Sequence, residues 1–563
     1  MLSDLQSIAY NKLMQVKLNF LSDITITRET PSETILDLLL KNRQITEVDS
    51  FLKPPFPEFK LDFTKAVKLI NEFIDAKKNI LIYGDYDVDG LTSTAILWQS
   101  LYPLDNKTIP FIPHREIDGY GFKSSSFLRI QTEKNIDFDL LITVDNGIVA
   151  DAEFAKIKAK NPNIKILVID HHIPSGKLKN VDALYHSIDT SASALAYFIA
   201  KNFSPRADLS LAALGVVADC QPLTGINRSL VVHGLSKLKL NPSPGIKKLM
   251  EISGVKIDQL SVYDLGFLIG PRLNAVGRLS DPTDALRLLC SQNPIQADKY
   301  AKILNSFNEK RQDLQKESID SAEETLSRDV PRYVSTKNNK VIFIADSFNP
   351  GIIGLIAGRL TEKYSLPSII IAKNGQVAKG SCRSIPQVNI IEVLREFSEL
   401  FVDLGGHPGA AGFSILDKNI PKLQRKLNTY FLKKLAKYTA QKSIAIDAKM
   451  DIGAISLKNI KLIKSLEPFG IGNSQPLFLF ENLIIESKKI LGQNQSHLKL
   501  KVSGIACPPN CETVGVDAIA FKKAELEPNL KIGESVNLVA YLDANTWNGH
   551  TFPQLVVKEI IKL

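Results

Sequence analysis

The sequence predicts an α/β protein in several parts: a parallel-sheet domain, a linker helix, a second α/β domain and a small C-terminal β-barrel. Three observations predict it. Between residues 71 and 295, short apolar runs alternate with helical stretches, the pattern of βαβ units and a parallel sheet. The alternation returns over residues 329–440. From about residue 441 the chain changes to short strand-like runs broken by turns. At 563 residues it also exceeds what one hydrophobic core usually supports.

The elements follow in order. Residues 1–70 read as a helical segment packed on the domain after it: ETILDLLLKNR is amphipathic and FLKPPFPEF is broken by proline. The helix DFTKAVKLINEFIDAKK leads into the strand NILIY, the turn GDYDVDG and the helix TSTAILWQSL. The unit repeats at FDLLITVDNG with VADAEFAKIKAK, and again at IKILVIDHH. Residues 296–328 are polar and helical, with few core positions, and read as an exposed linker helix. KVIFIAD, GIIGLIAGRLTEKY and SIIIA build the second α/β domain, and its Gly-rich DLGGHPGAAGF is expected to open a helix. LFLFENLIIES, HLKLKVSG, VDAIAF, VNLVAYL and TFPQLVVKEI read as a barrel of about five strands.

Composition narrows the class. The chain is 44% hydrophobic and 23% charged, which argues against disorder. No apolar run approaches the roughly 18 residues of a membrane span. The start, MLSDLQSIAYNKL, lacks the basic and apolar regions of a signal peptide. Five scattered cysteines form no disulfide framework, so a cytoplasmic location is expected. A net charge of +9, from 69 basic against 60 acidic residues, attracts polyanions without identifying one.

The placement of the acids carries the chemistry. Asp85, Asp87 and Asp89 crowd the residues after NILIY, and Asp145 ends LLITV. Asp170, His171 and His172 end IKILVI, and Asp219 follows LAALGVVA. Parallel sheets build ligand sites at such ends. A single Asp there usually caps a helix or turn, and Asp89-Gly90 alone reads as a hairpin turn. Four acid-bearing ends together are another matter. Buried and unpaired, each carboxylate would cost several kcal/mol. Divalent cations remove that cost, and oxygen plus imidazole ligands suit Mn²⁺ or Mg²⁺. Six candidate ligands leave room for two ions about 3.5–4 Å apart. No serine or cysteine stands out as a nucleophile.

These segments also carry a resemblance. VIDHH, YGDYDVDGLTSTAIL, TVDNG and LGVVADC resemble the motifs of the DHH phosphoesterase superfamily. HREIDGYGF, GFLIGPRLNAVGRL, SFNPGIIGLIAGRL, GSCRS and GGHPGAAGF resemble its branch of bacterial single-strand-specific exonucleases, which carry a DHHA1 domain. LEPFGIGNSQPLF and NTWNGHTFPQLVVKEI resemble that branch's OB-like, oligonucleotide-binding terminal module. The resemblance implies a two-metal 5′→3′ exonuclease that degrades single-stranded DNA to 5′-mononucleotides in DNA repair and recombination. Asp85, Asp87, Asp89, Asp145, His171 and Asp219 fall on the metal-ligand positions, with Asp145 fitting a shared ligand. Asp170 is expected to orient an imidazole; His172 either does likewise or protonates the leaving oxygen. Two departures are visible: Asp118 where a glutamate is expected, and Tyr185-His186 in place of Asn-Pro.

Candidate substrate contacts follow, each with a plainer alternative. Ser381 and Arg383 beside Gly380, with Gly405, Gly406 and His407, could grip phosphate or merely form a tight turn. Arg272, Asn274 and Arg278 could follow the strand's phosphates or tie domains together. His114, Arg115, Tyr120 and Phe122 could pair backbone contacts with base stacking or form a surface loop. Lys499, Lys501, Lys522 and Lys523, with Phe521, Tyr541 and Trp547, could make a strand-binding surface, or be solvated lysines and barrel core. Cys507 and Cys511 have half of a zinc site's spacing and no second pair, so zinc is not expected. Two rival functions stand beside the exonuclease: a phosphodiesterase of short oligonucleotides or cyclic dinucleotides, and a non-catalytic replication scaffold. Expected partners are single-stranded DNA and, through the resemblance alone, a single-strand-binding protein and a helicase. No membrane is expected, and a monomer is.

Overall fold

The computed structural model describes residues 17–119, 121–174, 176–205, 207–327, 340–438, 443–492, 494–504 and 515–563. The first sheet has five parallel strands: β1 (Ile80–Tyr83), β2 (Thr108–Phe111), β3 (Leu140–Val144), β4 (Lys165–Asp170) and β5 (Ala183–His186). Their order is β2-β1-β3-β4-β5. Ile80, Ile82 and Ile142 join one buried cluster. The alternate residues Leu81, Tyr83 and Leu141 join another. Both faces are therefore covered, which is why these strands read as unbroken apolar runs. Burial of each such side chain contributes about 1.5–3 kcal/mol.

The strand order reverses at β1. Helix α1 (Val88–Asp105) carries the chain out to β2, and the next crossover returns it to β3 on the other flank. The carboxyl ends of β1 and β3 thus open a crevice at a topological switch point. Three further helices matter to it: α2 (Ala192–Ala200), α3 (Leu209–Ala218) and α4 (Gly225–Leu240). Helix α5 (Gly270–Leu279) follows, preceded by a π-helical turn at Asp264–Ile269.

Helix α6 (Pro294–Ser327) departs from the exposed linker expected. Ala301 and Leu304 sit in the core of the first domain. Ala322 sits in that of the second. Tyr300, Ile303 and Phe307 pack on the first core, and Leu314, Ile319 and Leu326 on the second, apolar positions spread thinly enough along a polar helix to read as solvent-facing. The second domain has the strand order β9-β10-β8-β7-β6, from β6 (Ile342–Asp346), β7 (Ser368–Ala372), β8 (Val377–Arg383), β9 (Phe401–His407) and β10 (Ala410–Leu416). Helix α7 (Ile353–Tyr364) packs on β7 and β8. The Gly-rich GGHPGAAG does not open a helix. It forms the β9–β10 hairpin, with His407 opposite Ala410 across Pro408 and Gly409. β10 also pairs along all of β8, so ladder bonds on both sides hold the segment extended.

The C-terminal strands close into a five-stranded barrel, from β11 (Phe478–Leu491), β12 (His497–Gly504), β13 (Val516–Ala520), β14 (Ser535–Trp547) and β15 (His550–Lys562). Each pairs with two others in this set.

The N-terminal segment is the chief surprise. Residues 1–70 were expected to pack on the first domain, yet Ile26, Ile35, Leu39 and Phe51 belong to the barrel's apolar cluster. Thr25–Ile26 also extends that sheet beside Ala448–Met450. Only from Phe59 onward does the segment join the first domain's core. Arg43 and Asp447 fix the attachment, 2.8 Å apart and each 5% exposed. Asp447 also accepts from Leu477 N. Cutting such a buried pair strands a charge, at about 3–5 kcal/mol. Asp447→Ala should therefore lower the unfolding free energy by about that amount in urea titrations; a loss under about 1 kcal/mol would refute the pair's role.

Candidate metal centre

The site begins with a turn. Asp85, Asp87 and Asp89 fall between β1 and the first turn of α1. Asp87 caps the helix by accepting from Gly90 N at 3.1 Å. A methyl at Gly90 would lie 2.5 Å from the Asp85 backbone, so only glycine lets the chain fold back this tightly. The hairpin alternative for Asp89-Gly90 therefore gives way to a helix start. Asp89 reaches across to α2, where its two oxygens accept from Ala192 N at 2.8 Å and Ser193 N at 3.0 Å. A helix N-terminus is a favourable place for that charge. Asp145 follows β3 with a left-handed backbone, φ 60°.

Asp170 ends β4 and is fully buried. It accepts from Ile148 N at 2.9 Å, His171 N at 2.7 Å, His172 N at 3.1 Å and His172 Nδ1 at 2.8 Å. Its carboxylate is thereby occupied in shaping the His171-His172 turn. His186 Nε2 adds a polar contact to the His172 carbonyl at 2.8 Å. Asp219 closes the C-terminus of α3.

These groups converge. Asp85, Asp87 and Asp145 bring ligand atoms within 4.8 Å of one another, and so do Asp89, His171 and Asp219. The sets join at His171, whose Nε2 is 3.1 Å from Asp145 Oδ1 and 3.7 Å from Asp89 Oδ2. Its Nδ1 lies 3.6 Å from Asp219 Oδ2. Gln221, missed in the sequence, lies between them: its Nε2 donates to Asp219 Oδ2 at 2.7 Å and stands 3.4 Å from His171 Nδ1. Its only signal was a position two residues beyond Asp219.

Crowding sets the electrostatics. Burial, then the Asp87 charge, pushes the Asp85 carboxyl up to about 7. Burial and then Asp89 push Asp219 up to about 6. Asp145 is driven well above the usual carboxylate range by burial and by Asp87, Asp89, Asp85 and Asp170. Burial also acts on His172, but its bond to Asp170 and the surrounding acids outweigh it and raise the imidazole to about 9. Buried oxygen donors with one imidazole and no thiolate fit Mn²⁺ or Mg²⁺.

A basic wall faces this acidic floor. Arg115 lies over the Tyr86 ring, 5.4 Å from its centroid. Arg278 donates to Gly351 O at 3.3 Å, across to the second domain. Burial, then Arg115, Arg311 and Arg383, lowers it to about 10. Arg383 and Ser381 lie on β8 against the start of α7: a methyl at Gly354 would be 3.1 Å from Ser381 Oγ and 3.4 Å from Arg383 Nη2. No side chain caps that helix start. It offers unpartnered backbone N–H groups to an anion, a feature of SFNPGIIG the sequence reading did not extract. His407 and Gly406 are exposed on the β9–β10 hairpin. Partial desolvation of its ring, which faces the domain though the residue as a whole is open, and then Arg383 and His172, lower the His407 imidazole.

Other expected contacts are absorbed into the fold. Asn274 accepts from Val88 N at 3.1 Å and so caps α1. Arg272 donates to Leu268 O and Asn305 Oδ1, at 2.7 and 2.9 Å. Phe122 is buried against Tyr83 and Phe154 and unavailable for stacking on bases. His114 and Asp118 shape their own loop, Asp118 pairing with Arg129 at 2.7 Å. Tyr120, Cys507 and Cys511 lie outside the described residues. On the barrel, Lys499, Lys501 and Lys523 are paired with Asp517, Glu486 and Glu559. Tyr541 packs in an apolar cluster. Phe521 and Trp547 remain exposed, at 54% and 71%.

Comparison with known proteins agrees with this architecture. Residues 79–221 match the DHH family, N-terminal domain; 338–433 match the DHHA1 domain; 446–559 match the RecJ OB domain. The first domain is thus similar to the DHH family and the second to the DHHA1 domain. Along most of its length the chain is similar to RecJ proteins. The single-stranded-DNA-specific exonuclease RecJ of Bacillus subtilis is 31% identical over 88% of this chain, which spans 63% of that relative's length. The same-named Haemophilus influenzae protein is 29% identical over 96% of this chain and 98% of its own. The crystal structure of RecJ in complex with Mn²⁺ from Thermus thermophilus is 26% identical, with a TM-score of 0.78 over 97% of this chain and 80% of that one.

The raised carboxyls predict a pH-dependent response to metal. An unfolded Asp titrates near 3.9, so the unfolded chain releases these protons before the folded one. Between about pH 4 and 7 the metal-free protein should lose stability as pH rises through the Asp219 and Asp85 values of about 6 and 7. Cations need the deprotonated ligands, so Mn²⁺ should raise the melting temperature more at pH 8 than at pH 5. Equal shifts at both, by thermal scanning, would contradict this.

Proposed function

We propose that the chain is a 5′→3′ exodeoxyribonuclease specific for single-stranded DNA, dependent on Mn²⁺ or Mg²⁺, that releases 5′-mononucleotides in DNA repair and recombination. One observation carries the reading: Asp145 belongs to the Asp85–Asp87 group and also touches His171 of the Asp89–Asp219 group. Asp85, Asp87 and Asp145 would hold one cation; Asp89, His171 and Asp219, with Asp145 shared, would hold another. Such a pair, when bound, supplies charge stabilisation at the attacking and leaving oxygens and lowers the pKa of a water.

The chain's own groups do the rest. Arg383, Ser381 and the start of α7 receive a terminal 5′ phosphate, which sets the end from which cleavage proceeds. Arg278 and Arg115 bind the neighbouring phosphate across the crevice. Gly406 and His407 border that pocket from the hairpin. Asp170 holds His172 by Nδ1, so Nε2 is the nitrogen that passes a proton to the leaving oxygen. No phosphate contact is proposed for Arg272 or Asn274. Phe521 and Trp547 serve as stacking surfaces for bases further along the strand.

The relatives' names and the matched OB domain support a long single strand over a dinucleotide. The intact acid set argues against a scaffold, because buried carboxylates without a cation would only destabilise the fold. On the family resemblance we also propose a single-strand-binding protein and a helicase as partners. We propose a monomer as the working form and a cytoplasmic location. Among the described residues no helix is long and apolar enough to cross a membrane.

Two experiments test the reading. Strands labelled at either end should be digested from the 5′ end with Mn²⁺ or Mg²⁺, and Asp145→Ala should slow the rate by about 10³-fold or more, the several kcal/mol such a metal centre supplies. Digestion from the 3′ end, or activity in EDTA, would overturn the proposal. Arg383→Ala should raise KM at least about 10-fold on 5′-phosphorylated strands and far less on 5′-hydroxyl ones, the loss of a bidentate charged contact. An equal effect on both would remove the phosphate role.

A further inference from the structure

The motif LEPFGIGN, at Leu466–Asn473, lies between the N-terminal attachment and the barrel, and no nucleic-acid role accounts for it. Its surroundings do. Leu223 N donates to Ile471 O at 2.7 Å. Leu223 ends the short segment Asp219-Cys220-Gln221-Pro222-Leu223, which joins α3 to α4 and carries both Asp219 and Gln221. The contact is close. A methyl on Gly472 would lie 3.1 Å from Pro222 Cβ, and one on Gly470 2.6 Å from Leu223 Cδ1. Gly472 also has φ 76°, which L side chains adopt at a cost.

The motif is itself held rigidly. Gly470 and Asn473 exchange backbone hydrogen bonds at 2.9 and 3.2 Å. Fully buried Asn473 donates to Leu466 O at 2.8 Å and Pro468 O at 2.9 Å, and accepts from Arg43 Nε at 3.2 Å. From α4, Arg228, 1% exposed, donates to Glu467 O at 2.7 Å, Pro468 O at 3.3 Å and Phe51 O at 2.6 Å. Its guanidinium sits 3.8 Å over the Phe51 ring. A buried guanidinium is expensive to desolvate, and these carbonyls and the ring compensate it only if the elements stay in register.

Within the catalytic domain the ligand segment is anchored at its far end by Leu223, 1% exposed in that domain's core. Cys220 is left-handed at φ 58°. The segment's backbone bonds within the catalytic domain are those of Asp219, Cys220 and Gln221 to the last turn of α3.

We propose that Phe469–Asn473 is a positioning element for the metal centre: it clamps Pro222 and Leu223 and so fixes where Asp219 and Gln221 stand relative to His171. The C-terminal module then acts on cation binding directly, besides any contact with DNA. This rests on the two-cation reading of the site, and it is a statement about the unliganded protein as well as the working enzyme.

The test is Gly472→Ala in the full-length chain, with Mn²⁺ alone as the probe. Calorimetric titration without DNA should give Mn²⁺ binding at least about 10-fold weaker than wild type, the size of effect seen when groups behind metal ligands are disturbed. The Mn²⁺ concentration for half-maximal digestion should rise in step, and saturating Mn²⁺ should restore kcat. Strand affinity in EDTA should not change. If the variant does not fold, Gly470→Ala makes the same comparison, since its added methyl meets Leu223 Cδ1 at 2.6 Å and Cγ at 3.2 Å, and Val262 Cγ1 only at 3.7 Å. A folded variant with wild-type Mn²⁺ affinity, or one that loses strand affinity alone, would overturn the inference. Failure of the wild-type protein to bind Mn²⁺ would instead overturn the function proposed above.

Discussion

Everything in the catalytic domain answers to mutual repulsion among buried carboxylates. Asp85, Asp89, Asp145 and Asp170 are each nearly inaccessible, and Asp87 and Asp219 stand beside them. Unit charges a few ångströms apart in a partly dry crevice repel by several kcal/mol. The protein answers in three ways. Asp89 rests on a helix N-terminus, Asp170 is saturated with N–H donors, and Asp85 and Asp145 are left to retain protons until cations replace them. Asp170, with four donors, has no oxygen to spare, whereas Asp89 keeps lone pairs beside its two donors and can still ligate, as can Asp85 and Asp145. The division between acids that shape the site and acids that bind in it thus follows from how many donors each already has.

The parallel sheet makes this concentration possible. Strands β1, β3 and β4 end at one edge, so residues about sixty and twenty-five positions apart in the chain arrive side by side without long loops. The reversal of strand order at β1 keeps helices from covering the gap. Opposite it, Arg115, Arg278 and Arg383 form a wall in which burial, and then repulsion from its neighbours, depresses the charged form of Arg278. Floor and wall are each unfavourable alone. On the function proposed above, a phosphodiester held between cations on one side and guanidiniums on the other would relieve both.

Much of this was legible in the sequence because it is local. An acid after an apolar run marks a strand end, and the DHH motifs name their own residues, so Asp85 to Asp219 could be listed before any geometry. What escaped was of two kinds. One was backbone chemistry: the start of α7 beside Ser381 offers N–H groups that no residue letter records, and GGHPGAAG became a hairpin because pairing on both sides outweighed its loop-like composition. The other was long-range packing. Nothing in ETILDLLLKNR says that its apolar face belongs to a barrel more than 400 residues away. Likewise Asn274 and Arg272 have the composition of phosphate binders, and only the neighbouring Val88 N–H and Leu268 carbonyl reveal that they are already engaged.

That long-range packing bears on why the chain is built as one molecule. The N-terminal segment closes onto the barrel through Arg43 and Asp447, the LEPFGIGN motif is wedged behind α4 by Arg228, and the motif meets the segment bearing Asp219. Each contact buries a polar group whose partners lie in a different part of the sequence. A buried polar network tolerates little displacement, since a half-satisfied one costs more than an apolar interface would. Such contacts therefore fix distances rather than add much stability. A site that needs Asp219 held to within a fraction of an ångström of its companions gains from that stiffness, whereas a tethered DNA-binding appendage would need only a flexible linker. On this argument the rigid joint between barrel and catalytic domain is the part of the architecture that serves chemistry, and any base-stacking by Phe521 or Trp547 is built upon it.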